Sequence, residues 1–176
     1  GRRVEDAGCP IGTTIIVQNL FYNVPARQKY LKAPANEYNH IVDLFLNYAL
    51  AHPKIYWTLD HNDREIYRFS AANNLLERAE AVFGKEISSQ LLAVEHETLY
   101  IKISGFIGKP QIARQNKKLQ FLFVNSRPVN EFVVSKMIKD AFGQVISKDL
   151  HPVYLLNLFV DQSKIDVNVH PRKLEV

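Results

Sequence analysis

The chain has 176 residues, 47% apolar and 23% charged, with ten Phe and eight Tyr, a composition that supports one domain with a substantial core and excludes a disordered or low-complexity polypeptide. No apolar run approaches the roughly 20 residues of a membrane helix, and Gly1-Arg2-Arg3-Val4-Glu5-Asp6 lacks the apolar core of a signal peptide, so a soluble, intracellular protein is expected. The net charge of +4 is compatible with a polyanionic partner without demanding one, and the single cysteine, Cys9, excludes an internal disulfide.

In chain order, the β-branched run Thr13 to Val17 after Gly12 reads as a first strand. From Asn36 to about His52 the apolar residues Ile41, Leu44, Phe45, Tyr48 and Ala49 recur at helical spacing, and Pro53 supplies a stop. Ile55 to Leu59 and Glu65 to Phe69 flank Asp60-His61-Asn62-Asp63, the composition of a hairpin turn, and are expected to pair antiparallel. Asn74 and Glu77 have capping-box spacing, and the helix they open carries Leu76, Ala79 and Phe83 before Gly84. Leu99, Ile101 and Ile103 alternate as in a half-buried strand. Leu119 to Val124 is apolar on both faces and is expected to lie centrally. A helix with Val134, Met137, Ile138 and Ala141 follows Asn130 and stops at Gly143. Val153 to Val160 reads as another buried strand, and Ile165, Val167 and Val169 alternate as a last one. This interleaving indicates a mixed α/β or α+β domain. The chain opens without methionine and stops within an alternating pattern, and so reads as a fragment.

The ordinary catalytic signatures are lacking. Gly105-Phe106-Ile107-Gly108-Lys109 has two residues between its glycines where a phosphate-binding loop has four, and Pro110 stands where that loop places a magnesium-binding hydroxyl. The six histidines form no close i,i+4 pair and have no cysteine neighbour, which argues against metal binding. No Gly-x-Ser-x-Gly elbow is present, and spacing nominates no base for Cys9. The stretch from Gly108 to Asn130 is more informative: it holds Lys109, Arg114, Lys117, Lys118 and Arg127 and no acidic residue. Such a loop can contact phosphates by charge without reading bases, or can simply be solvated.

Three segments carry a family resemblance. The stretch from Gly12 to Lys32, with Phe21-Tyr22-Asn23-Val24-Pro25-Ala26-Arg27 at its centre, resembles the passage in MutL-type DNA mismatch-repair proteins that closes the ATPase core and enters the next domain. Phe123-Val124-Asn125-Ser126-Arg127-Pro128-Val129 resembles the family's strand and turn, with Ser126 where Gly is usual, and Ile165 to Lys173 resembles its terminal signature. The resemblance implies an ATPase class shared with gyrase B, heat-shock chaperones and histidine kinases (GHKL). In that class a nucleotide domain, here ending over residues 1–22, is followed by a two-layer α+β transducer of ribosomal-protein type, here residues 23–176.

It further implies that Gly12, Thr13 and Lys173 contribute to a site for ATP with Mg2+ formed mostly by residues absent from this chain, with Lys173 at the terminal phosphate in a catalytic role. Asn23, Pro25 and Arg27 would shape the exit from the ATPase core. The segment alone should not hydrolyse ATP. Arg114, Lys117, Lys118 and Arg127 become the candidate DNA contacts, although Ser126 and the non-basic Asn130 and Glu131 weaken the case for strong binding. The implied partners are DNA, a mismatch-recognition protein of MutS type and a second ATP-bound head, with no membrane. The Phe21 to Arg27 run looks bacterial, which points to the cytoplasm, the nucleus being the alternative. Two other readings stay open: a stand-alone nucleic-acid-binding module of ribosomal type, indifferent to nucleotide, and a structural lever whose basic loop is only solvated.

Overall fold

The computed structural model describes residues 11–130 and 132–161, and the chain divides into two units, residues 1–39 and 40–176. In the first unit, Asn19 and Phe21 take positive φ in a turn, and α1 (Pro25–Gln28) is one helical turn with Pro25 at its start, where a missing N–H is harmless. The strand expected at Thr13 to Val17 is not formed: the five residues pair with no strand among the described residues and are exposed. A β-branched run favours extended backbone but cannot satisfy its own N–H and C=O groups without a neighbour.

The second unit is built on a five-stranded sheet of order β3-β4-β7-β5-β6. Its strands are β3 (Leu91–Glu97), β4 (Ile101–Gly108), β5 (Gln120–Val124), β6 (Arg127–Pro128) and β7 (Tyr154–Val160). β5 and β7 run parallel and the other neighbours antiparallel. A parallel pair needs a crossover, supplied by α5 (Phe132–Phe142). β5 lies between β7 and β6, as its two-sided apolar character predicts, but β7 is the middle strand. Pleat alternation sends Phe121, Phe123 and Leu155 to one face, where they pack with Leu50 of α2 (Pro34–Ala51) and Ala79 of α3 (Leu75–Phe83). Leu122, Val124, Tyr154 and Leu156 go to the other face, against Val134 and Ile138 of α5. The mixed class read from the sequence is therefore observed, with helices on both faces of the sheet where the resemblance implied two layers.

A separate hairpin, β1 (Trp57–His61) and β2 (Arg64–Phe69), turns on Asn62 and Asp63, both at positive φ, so its strands run further into the expected turn than composition indicated. Phe45, Ala49 and Phe69 form its contact with α2. The apolar face expected for α2 is only partly buried: Phe45 and Ala49 are inside, while Ile41, Leu44 and Tyr48 are exposed. At α3, the Asn74 side chain accepts from Glu77 N (2.9 Å), while Glu77 Oε2 accepts from Asn73 N (2.8 Å), so the box closes one residue earlier than its spacing suggested. A short helix, α4 (Lys85–Ser88), leads to β3, which pattern alone did not single out. The strand expected from Leu99 begins at Ile101 and runs to Gly108, leaving Leu99 exposed. The strand expected around Ile165 to Val169 lies outside the described residues.

Candidate nucleic-acid interface

The interface begins with a β-bridge. Arg114 N donates to His151 O (2.9 Å) and His151 N donates to Arg114 O (2.7 Å), an antiparallel pairing outside the main strands that puts the two side chains on one face. The loop that follows is shaped by Asn116, whose Oδ1 accepts from Lys118 N (3.0 Å), and closes as Gln120 N donates to Lys117 O (3.1 Å). Lys117 and Lys118 are thereby exposed just before β5.

Arg127 is elsewhere. It pairs with Val124 at the far end of β5, about 13 Å along the strand from Gln120 at the usual rise per residue. The four candidate contacts thus divide into Arg114, Lys117 and Lys118 at one end of β5 and Arg127 at the other. The turn beside Arg127 has Asn125 and Ser126 both at positive φ, and it is pinned to β7: Asn125 Nδ2 donates to Val160 O (2.9 Å), and Val160 N donates to Asn125 Oδ1 (3.1 Å). Ser126 N donates to Asn157 Oδ1 (3.2 Å), so the serine that replaces the usual glycine occupies a strained conformation held by hydrogen bonds.

The first cluster gains members that sequence reasoning missed. Between the loop and α5 is a cavity of about 270 Å³, lined by Lys117, Lys136, Lys139 and His151 together with Gln120 and Ser135. No acidic residue lines it among the described residues. The exposed Phe132 ring borders it, with Lys117 Nζ 5.9 Å from the ring centre. Lys139 Nζ donates to Lys148 O (2.7 Å), and Ser135 Oγ shares a 2.7 Å hydrogen bond with the buried Tyr154 hydroxyl. Burial first, then the charges of Lys139 and Lys117, hold the His151 imidazole below its ordinary pKa. Burial raises the Tyr154 phenol, which the Ser135 hydrogen bond partly offsets. Lys136 and Lys139 stand three residues apart on one helix, a spacing that could have flagged them. His151 reaches the site through a bridge distant in sequence and had no local signal.

Gly12 and Thr13 are exposed, and a Cβ on Gly12 would meet nothing within 4 Å. Gly105 and Gly108 serve packing: a Cβ on Gly105 would lie 2.1 Å from Leu155 O, and one on Gly108 2.7 Å from Ile112 Cδ1. No group of three His, Cys, Asp or Glu able to hold a metal occurs among the described residues, and none of their helices is long and apolar enough to cross a membrane. Lys173 lies outside the described residues.

The family model for the C-terminal domain of DNA mismatch repair protein matches residues 79–176, more than half of the chain. The chain belongs to this DNA mismatch repair family. It is 41% identical over 165 residues to the DNA mismatch repair protein MutL of Chlorobium luteolum, covering 94% of this chain and 26% of that protein. It is 40% identical over 178 residues to MutL of Pelodictyon phaeoclathratiforme, covering 100% and 28% respectively. The chain therefore spans about a quarter of the length of these MutL relatives. Among solved structures it resembles the N-terminal domain of a DNA repair protein, with a TM-score of 0.67 and 25% identity, covering 88% of this chain and 52% of that one. It also resembles the Aquifex aeolicus MutL ATPase domain complexed with ADP, with a TM-score of 0.59 and 26% identity, covering 82% and 51%. The segment is MutL-type in sequence and matches part of a MutL ATPase region in fold.

Proposed function

We propose that the chain is the transducer of a MutL-type head, with residues 1–22 closing the nucleotide domain and residues 23–176 forming the transducer, and that its basic surface contacts DNA without reading sequence. The observation that carries the DNA part is the gathering of Arg114 and Lys117 with Lys136 and Lys139 at one end of β5, on a surface whose described lining holds no carboxylate. Cations on a concave surface attract phosphates by charge, a contact that does not read bases. Lys118 extends this cluster. Arg127 is a separate contact, reached only by a strand that spans the length of β5.

In the whole protein, Gly12, Thr13 and Lys173 would belong to the site for ATP with Mg2+. A lysine at the terminal phosphate supplies positive charge where negative charge develops during phosphoryl transfer. ATP-dependent pairing of two heads and communication with a mismatch-recognition protein of MutS type complete this reading. The ADP named in the Aquifex aeolicus MutL structure and the MutL names of the relatives support it.

Replacing Lys117 and Lys118 by glutamate tests the DNA part. Duplex affinity at low salt should fall roughly tenfold or more, and the slope of log affinity against log salt should flatten by about two. Unchanged affinity would leave the segment as a lever with a solvated loop. In the full-length protein, Lys173→Ala should lower ATP turnover by roughly tenfold or more with folding intact, and unaltered turnover would remove Lys173 from the ATP site.

A further inference from the structure

We infer that the cavity between α5 and the loop before β5 is an oxyanion subsite, in which Lys117, Lys136, Lys139 and His151 receive one phosphate of a bound nucleic-acid strand, and that His151 takes up a proton as the phosphate enters. This rests on the DNA reading and deepens it, since three of these four residues lie outside the basic stretch from which that reading began.

Size and donors both fit a phosphate. The cavity, about 270 Å³ and open to solvent, has room for a phosphate. Lys139 commits one ammonium hydrogen to Lys148 O and keeps two, and Lys136 and Lys117 carry no ion pair with a described residue. Gln120 and Ser135 add polar rim groups. The backbone of His151 is set by its two hydrogen bonds to Arg114, so the imidazole is presented from a paired strand segment. Phe132 offers a ring face at the rim, on which a base attached to the phosphate could stack.

The charged groups facing His151 are Lys117 from the loop and Lys139 from α5, with Lys136 lining the same cavity and Arg114 opposite across the bridge. Without an anion, burial first and then these charges disfavour imidazolium, which lowers the pKa. A phosphate reverses the local field, so the bound state should hold His151 with a higher pKa than the free state. By linkage, affinity must then strengthen as pH falls through the interval between the two values. The free value lies below that of an ordinary imidazole.

The test follows the His151 imidazole by NMR across a pH series in the chain alone, with inorganic sulfate, a tetrahedral dianion that does not itself titrate there, and with a short labelled single-stranded oligonucleotide. The oligonucleotide affinity is measured in parallel. The expected result is a His151 midpoint raised by both anions. Affinity should be several-fold tighter at about pH 5.5 than at about pH 7.5, and His151→Gln should remove that gain. Combining Lys136→Ala with Lys139→Ala should weaken oligonucleotide binding roughly tenfold and lower the salt slope by no more than about one, since both lysines serve a single phosphate. Oligonucleotide binding with an unmoved His151 midpoint would overturn the subsite and leave the DNA reading standing. A midpoint moved by sulfate without oligonucleotide binding would overturn the nucleic-acid occupant of the site, and no response to either anion would overturn the subsite altogether, the DNA reading being decided separately by duplex affinity.

Discussion

Arg78 of α3 and the lysines of α5, Lys136 and Lys139, belong to helices on opposite faces of one sheet, and neither forms a salt bridge with a described residue, yet the two kinds of cation meet different fates. Arg78 of α3 is fully buried, and its Nη2 donates to the carbonyls of Pro53 (2.7 Å), Ile55 (2.7 Å) and Ser70 (2.9 Å). Its guanidinium lies 5.4 Å from the Phe69 ring centre, and burial lowers its pKa. The Nε and Nη1 atoms, also buried, find no hydrogen-bond partner. This cation joins the loops around the β1–β2 hairpin to α3, and its charge is met by backbone dipoles. Across the sheet, the lysines line a cavity open to solvent. A buried cation is held by what it stabilises, whereas a cluster open to solvent is left available to an incoming anion.

The contrast can be broken at Arg78 first. Arg78→Met should lower unfolding free energy by about 3 kcal/mol, since three buried carbonyls lose their donor. Denaturant unfolding measures this, and a loss below about 1 kcal/mol would mean water replaces the guanidinium readily. Oligonucleotide binding by the folded fraction should be unaffected. Gly105→Ala examines the sheet that both regions share: its Cβ would collide with Leu155 O at a φ of 137°, so a loss of about 2–3 kcal/mol is expected in thermal or chemical unfolding. Tolerance there would show that β4 and β7 can separate locally. Asn74→Ala removes the cap of the helix that carries Arg78 and should cost about 1 kcal/mol. A much larger loss would indicate that the cap also sets the position of Arg78.

The smallest stability effects belong to the basic side. Lys136→Ala and Lys139→Ala should each shift stability by no more than about 0.5 kcal/mol. His151 links that side to pH. Its folded pKa is depressed, so neutral imidazole is favoured in the fold, and this contribution is present above the unfolded value of 6.5 and lost as pH falls from there through the folded value. His151→Gln should flatten that part of the stability curve. An unchanged curve would assign the acid sensitivity to another group.

Most elements were legible because their signals are local. Asn62 and Asp63 announce a turn that tolerates positive φ, Asn74 and Glu77 announce a helix start, and Gly143 closes α5 at a φ of 54°. The basic loop could be read from the charges of Lys117 and Lys118, and the family from runs such as Phe21 to Arg27. Local pattern failed where the answer depended on a neighbour. Thr13 to Val17 has strand chemistry but no paired strand among the described residues, and the periodicity of α2 could not say that Phe45 would be inside while Ile41 and Tyr48 stayed exposed.

By itself, then, the sequence determined the alternation of helix and strand, the main stops and turns, and the presence of a cationic segment, because propensity and charge act over a few residues. Only the tertiary structure decided that α5 brings Lys136 and Lys139 beside the loop that carries Lys117, and that a bridge sets His151 opposite Arg114. Those relations arise from strand register and from a crossover between parallel strands, which are set by packing over the whole sheet and leave no mark on spacing along the chain.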